Sequence, residues 1–101
     1  MNPELNILSF ATQAAGMAVQ DGTRSQAELE QWLSRVDGID NPLFEQAKRE
    51  VTMALKAAIR YQKSQRPLEA KLTRKHIEKV ADEFERVTRL VQRKEGAKNG
   101  V

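Results

Sequence analysis

A chain of 101 residues with 40% hydrophobic and 31% charged side chains suffices for one domain with a modest core, and is too apolar for a disordered polypeptide. It has no cysteine and one histidine, which excludes disulfides, cysteine nucleophiles and a single-chain zinc site of nitrogen and sulfur ligands. Its net charge of +3 hides an asymmetry: residues 1–50 carry four basic and eight acidic side chains, residues 51–101 thirteen and six.

The stretch Leu5–Val19 has no charged residue. It is shorter than the roughly 20 apolar residues a bilayer span needs, and Asn6, Ser9, Thr12 and Gln13 interrupt it. No lysine or arginine precedes Arg24, so it lacks the basic start of a secretory signal. It reads as a buried helix of a cytoplasmic protein. Asn2 caps it, Pro3 takes the first helical position, and Asp21-Gly22 ends it. Its small residues Ala11, Ala14, Ala15, Gly16 and Ala18 leave room for another backbone. Leu8, Ala11, Ala15 and Ala18 are the expected self-association surface.

Ser25 and Glu28 have capping-box spacing and open a second helix whose apolar face is Leu29, Trp32, Leu33 and Val36. Asp37-Gly38 stops it. A third helix opens at Asn41-Pro42 and runs to about Gln65. Its inner face is Phe44, Ala47, Val51, Ala54, Leu55 and Ala58, with Ile59 and Tyr61 at the shoulders. Arg66-Pro67 interrupts it, because proline disfavours helical geometry in the residue before it. A fourth helix is expected from Thr73 as cap to about Lys94, with Leu72 and Ile77 as a hydrophobic staple. Ile77, Val80, Ala81, Phe84, Val87 and Val91 face inward.

The expected fold class is therefore all-α, a small bundle of four helices with two long antiparallel ones, about 42–65 and 74–94. Residues 1–94 form the domain and 95–101 a flexible C-terminal tail. Each long helix spans roughly 30–36 Å at 1.5 Å per residue, more than the first two helices can cover. Either the pair projects as a hairpin or a second chain covers the excess, and a homodimer is the expectation.

Residues 56–75 hold seven basic groups against one acid, Glu69. A polyanion-binding face is expected from Lys56, Arg60, Lys63, Arg66, Lys71, Arg74, Lys75 and Lys79. Arg49 belongs to the same side of the third helix, and Arg86, Arg89 and Arg93 continue the outer side of the fourth. A polyanion on such a surface gains by releasing condensed counterions. Arg74, Lys75 and His76 fall in the expected first turn of the fourth helix, where exposed amides and the helix dipole favour a phosphate.

The plainer reading is a solvated helix face. Glu45–Arg49, Asp82–Arg86 and Glu85–Arg89 all have the spacing of ordinary helix-supporting pairs. A structural or adaptor module, dimeric and without nucleic-acid contact, is thus the alternative to a nucleic-acid or acidic-partner binder. A helix-turn-helix reading fails, because Pro42, Leu43, Phe44, Glu45 and Gln46 would enter the groove, an apolar and acidic start beside phosphates.

Chemistry is harder to find. His76 has no orienting partner in the sequence and reads as solvated. Glu78, Asp82, Glu83 and Glu85 point in several directions. Asp37, Asp40 and Asn41 lack calcium-loop spacing, and Gly16, Gly22 and Gly38 make no phosphate-binding loop. The expectation is a non-enzymatic protein with no catalytic residue, metal, cofactor, membrane contact or small-molecule substrate. Trp32 is expected in the core, and Met53 on the outer side of the third helix, where with Ala57 it marks a contact edge.

Overall fold

Local side-chain chemistry sets most of the helix ends. The computed structural model describes residues 3–22 and 25–99, with side chains as far as Leu90. Helix α1 spans Pro3–Gln20, α2 Gln26–Asp37, α3 Glu45–Ser64 and α4 Pro67–Asn99, with a 3-10 turn at Pro42–Phe44 leading into α3. The fold is all-α, a four-helix bundle. No helix among the described residues is long and apolar enough to cross a membrane. The expected Asn2 cap and the inward placement of Val91 lie outside the described residues and side chains.

At the end of α1, Asp21 N donates to Met17 O at 3.1 Å and Gly22 adopts φ 69°, a left-handed geometry that favours glycine. Ser25 caps α2, its hydroxyl accepting from Glu28 N at 3.1 Å. The Asn41 side-chain oxygen accepts from Leu43 N at 3.0 Å, with Pro42 in the first position of the 3-10 turn. Between α2 and α3, Lys48 Nζ donates to the carbonyls of Asp37 at 3.0 Å and Ile39 at 2.9 Å. A cation there complements the negative end of the α2 dipole.

Helix α4 starts earlier than the sequence reading expects. Pro67 is its first residue, a position where the missing N–H costs nothing, and Glu69 N donates to Arg66 O at 3.1 Å. Thr73 is therefore no cap. It lies inside the helix, fully buried, with its hydroxyl donating to Glu69 O at 2.8 Å, and the Leu72–Ile77 staple does not apply. Two residues, Gln65 and Arg66, join α3 to α4. At the far end α4 continues helically to Asn99, past the Lys94 boundary; the mobility expected for residues 95–101 rests on side chains and ends outside the described set.

The core gathers Leu8, Ala11, Ala14, Ala15 and Ala18 of α1, Leu29 and Val36 of α2, and Phe44. Ala47, Val51, Ala54, Leu55 and Ala58 of α3 and Ala70, Val80 and Val87 of α4 join it, with Val19 and Ile39 at its margins. Alanines dominate, so the backbones pack closely, and the large side chains stabilise the fold by about 1.5–3 kcal/mol each. α1 and α3 run in the same direction, since Glu4 approaches Asn41 at 3.5 Å at one end and Val19 and Tyr61 line one cavity at the other. α4 returns antiparallel to α3.

Three assignments change. Leu8, Ala11, Ala15 and Ala18 are each 0% exposed: the small-residue face of α1 is consumed by the chain's own α3 and α4, with Gly16 facing Ile77, and offers no self-association surface. Ala81 is exposed, because a core arc centred on Thr73, Ile77, Val80 and Phe84 turns it outward. Ala57 is buried and so is no contact edge beside Met53. The molecule measures 55 × 22 × 19 Å, and Thr88, Arg89 and Leu90, which follow the buried Val87, are exposed.

Candidate polyanion interface

At 3.6 residues per turn, positions seven apart on a helix point almost the same way. Arg49, Lys56 and Lys63 therefore form one line along α3, opposite the arc of Ala47, Val51, Ala54 and Ala58, and all three are exposed. Arg60 lies one turn from Lys56. On α4, Lys71, Lys75 and Lys79 follow at intervals of four, roughly 6 Å of rise per step. Arg66 sits in the connection. All eight expected binding residues, Lys56, Arg60, Lys63, Arg66, Lys71, Arg74, Lys75 and Lys79, are exposed.

Pairing with acids thins the strip unevenly. Arg60 Nε meets Glu69 Oε2 at 3.1 Å across the hairpin. Arg86 pairs with Glu83 at 2.8 Å, not with Asp82, and Arg89 pairs with Glu85 as its spacing suggests. Glu45 and Arg49 form no ion pair. The other seven expected residues have no carboxylate partner among the described residues. Unpaired positive charge therefore concentrates at the closed end of the hairpin and fades toward Arg86 and Arg89. Arg93 has a side chain outside the described set.

Arg74, Lys75 and His76 do not share a helix N-terminus. With α4 opening at Pro67 they lie two turns in, where amides are engaged in the helix and the terminal dipole is spent, so the expected phosphate pocket is absent at that point. Arg74 also stands apart from the Lys71–Lys75–Lys79 row, on the flank that carries Glu78.

His76 is not solvated. Its Nδ1 lies 2.7 Å from Glu50 Oε2, with side-chain exposures of 16% and 11%. The pair bridges α4 and α3 inside the hairpin and removes His76 from the basic surface. A hint stood in the sequence, since Glu50 is a carboxylate on the core side of α3, beside Ala47, Val51 and Ala54. What it paired with depended on the α4 register, which the misplaced start concealed.

The turn at Asp37–Asn41 offers its carbonyl oxygens to the Lys48 ammonium, and no group of three or more His, Asp or Glu that could hold a metal occurs among the described residues. Trp32 sits at the margin of the core, half-buried, rather than inside it. Its ring stacks with that of Phe10 at a centroid separation of 6.4 Å and carries the Arg35 guanidinium at 5.0 Å. Phe10 is 54% exposed. Met53 is exposed among the α3 cations, as expected. No family model, curated protein or solved structure matches the chain.

Proposed function

We propose that this chain is a non-enzymatic binding module, an accessory or regulatory factor of the cytoplasm whose α3–α4 hairpin meets a polyanion, with nucleic-acid backbone as the leading partner. One observation carries the reading: Lys56, Lys63, Arg66, Lys71, Arg74, Lys75 and Lys79 are exposed and have no carboxylate partner among the described residues. Holding like charges together costs self-repulsion, which counter-charge from a partner relieves. Contact runs to phosphates rather than base edges, because lysines predominate, and no aromatic side chain of α3 or α4 is exposed for stacking.

The test is a titration of labelled duplex and single-stranded oligonucleotides across a salt series. Engagement of four or five phosphates gives a slope of log K against log salt of about −4 for duplex. Charge reversal at Lys63, Arg66 and Lys71 together is expected to flatten that slope and abolish binding near physiological salt, with the thermal midpoint preserved. No binding at low salt, or a slope indifferent to the reversals, defeats the reading.

A further inference from the structure

Helix α4 opens with an apolar pair that the bundle leaves outside. Leu68 is 61% exposed, the highest value among the exposed large apolar side chains, and Leu72 stands one turn on, half-buried. Together they floor a depression of about 420 Å³ whose remaining lining is Lys71, Arg74, Lys75 and Glu78. Neither leucine has a core to enter, since the inward arc of this part of α4 is Ala70, Thr73 and Ile77. An exposed leucine alone needs no explanation. Two of them in a concavity framed by three cations without a carboxylate partner among the described residues form a patterned surface.

We infer that this flank of α4 is a docking site for an acidic peptide segment of a partner protein, one that carries a large aliphatic or aromatic side chain between carboxylates. The apolar side chain covers Leu68 and Leu72, and the flanking carboxylates reach Lys71, Arg74 and Lys75. Glu78 at the rim keeps the acidic residues toward the Lys71 end and so gives the segment a direction. The nucleic-acid backbone satisfies the cations and leaves the leucines wet. A bilayer would cover both, but the surface is concave and has no aromatic anchor, Phe10 and Trp32 lying on α1 and α2. The site shares its cations with the polyanion face of the preceding section and differs from it in the leucines.

Selection of a random peptide library on the folded full-length chain tests this, with Leu68→Ser as counter-target. The selected peptides are expected to carry Asp or Glu around a Leu, Ile, Phe or Trp, to bind Leu68→Ser at least about tenfold more weakly, and to recover affinity with Leu68→Met. Lys71→Glu with Lys75→Glu is expected to remove the binding. Any binding of duplex oligonucleotide or phosphatidylserine vesicles, titrated in parallel, is expected to respond to the charge reversals and to ignore Leu68→Ser. Absence of acidic, apolar-centred peptides from the selection, or peptides that bind Leu68→Ser equally well, overturns the proposal. Loss of duplex or vesicle binding in Leu68→Ser also overturns it, by giving the leucines to those partners. A duplex titration without binding beside an intact peptide selection fails the nucleic-acid reading alone. Because Leu68 is exposed, the variants are expected to keep the wild-type helical melt.

Discussion

The α1–α2 half and the α3–α4 hairpin of this protein are built on different rules. In the first, apart from the contact of Asn41 with Glu4, polar groups act within a few residues: Ser25 caps its own helix, Asp21 N closes the last turn of α1, and the interior is alanine, leucine and valine. In the hairpin, local pairs such as Arg86 with Glu83 and Arg89 with Glu85 are joined by polar contacts that cross between helices. Arg60 reaches Glu69 and His76 reaches Glu50. The charges of the two halves also stay apart. Arg60, Arg86 and Arg89 pair with carboxylates of their own half, Glu69, Glu83 and Glu85. Glu50 pairs instead with a histidine inside the hairpin. The acidic first half is thus a packing platform, and the second half keeps a positive excess, thirteen basic against six acidic side chains, that its own acids only partly offset.

Removing a core side chain from the platform should break the contrast most. Leu8 is fully buried, and Leu8→Ala is expected to cost about 2–5 kcal/mol in a denaturant melt. If platform and binding face are separate, the salt slope of oligonucleotide binding stays that of wild type at temperatures where the variant is folded. A changed slope in the folded variant would show that the platform helps shape the surface.

The cross-helix pair sharpens the comparison from the other side. His76→Ala leaves the Glu50 carboxylate nearly buried without its partner, a loss of about 1–3 kcal/mol. Replacing both, Glu50→Leu with His76→Leu, is expected to recover most of that loss, since apolar groups of suitable shape remove the unsatisfied acceptor altogether. A double-mutant cycle by urea denaturation reads the coupling directly. Additive losses would mean that the 2.7 Å contact contributes nothing of its own.

How much was legible from the sequence follows the same division. Three helices were readable because each announces itself locally: Pro3 in a first turn, Ser25 three before Glu28, Asn41 before Pro42. The inner face of α3 was readable from its period. Helix α4 broke the pattern because Arg66 is a poor cap, so Pro67 looked like a stop although proline is equally at home in a first turn. One boundary moved seven residues and took several conclusions with it. Thr73 went from cap to core, Arg74 and Lys75 from a helix terminus to a helix face, and Leu68 and Leu72 from the connection to the floor of a surface depression on α4. The exposure of Lys56, Lys63, Arg66, Lys71 and Lys79 survived, because long charged side chains outside the apolar arc of their helices had few ways to be buried. The face of α1 was misread for a physical reason: small residues invite close packing without saying whether the approaching helix is the chain's own.

The smallest expected effects lie in two left-handed residues among those described, one in each half. Gly22 ends α1 at φ 69° and Gln65 ends α3 at φ 56°. A side chain in this region costs about 1–2 kcal/mol that glycine avoids. Gly22→Ala is therefore expected to lose on the order of 1 kcal/mol, a purely conformational cost because nothing lies within 4 Å of the added Cβ. Gln65→Gly removes the strain but also a side-chain amide that donates to the carbonyls of Tyr61 and Gln62, both at 3.3 Å. It adds freedom to the unfolded chain as well, so the net gain is expected to stay below about 1 kcal/mol. Gln65→Ala separates the contributions: it keeps the strain, discards the amide bonds and should melt lower than wild type. If Gln65→Gly also melts lower, the amide bonds outweigh the strain, and the hairpin turn is held by its side chain in a way that the end of α1 is not.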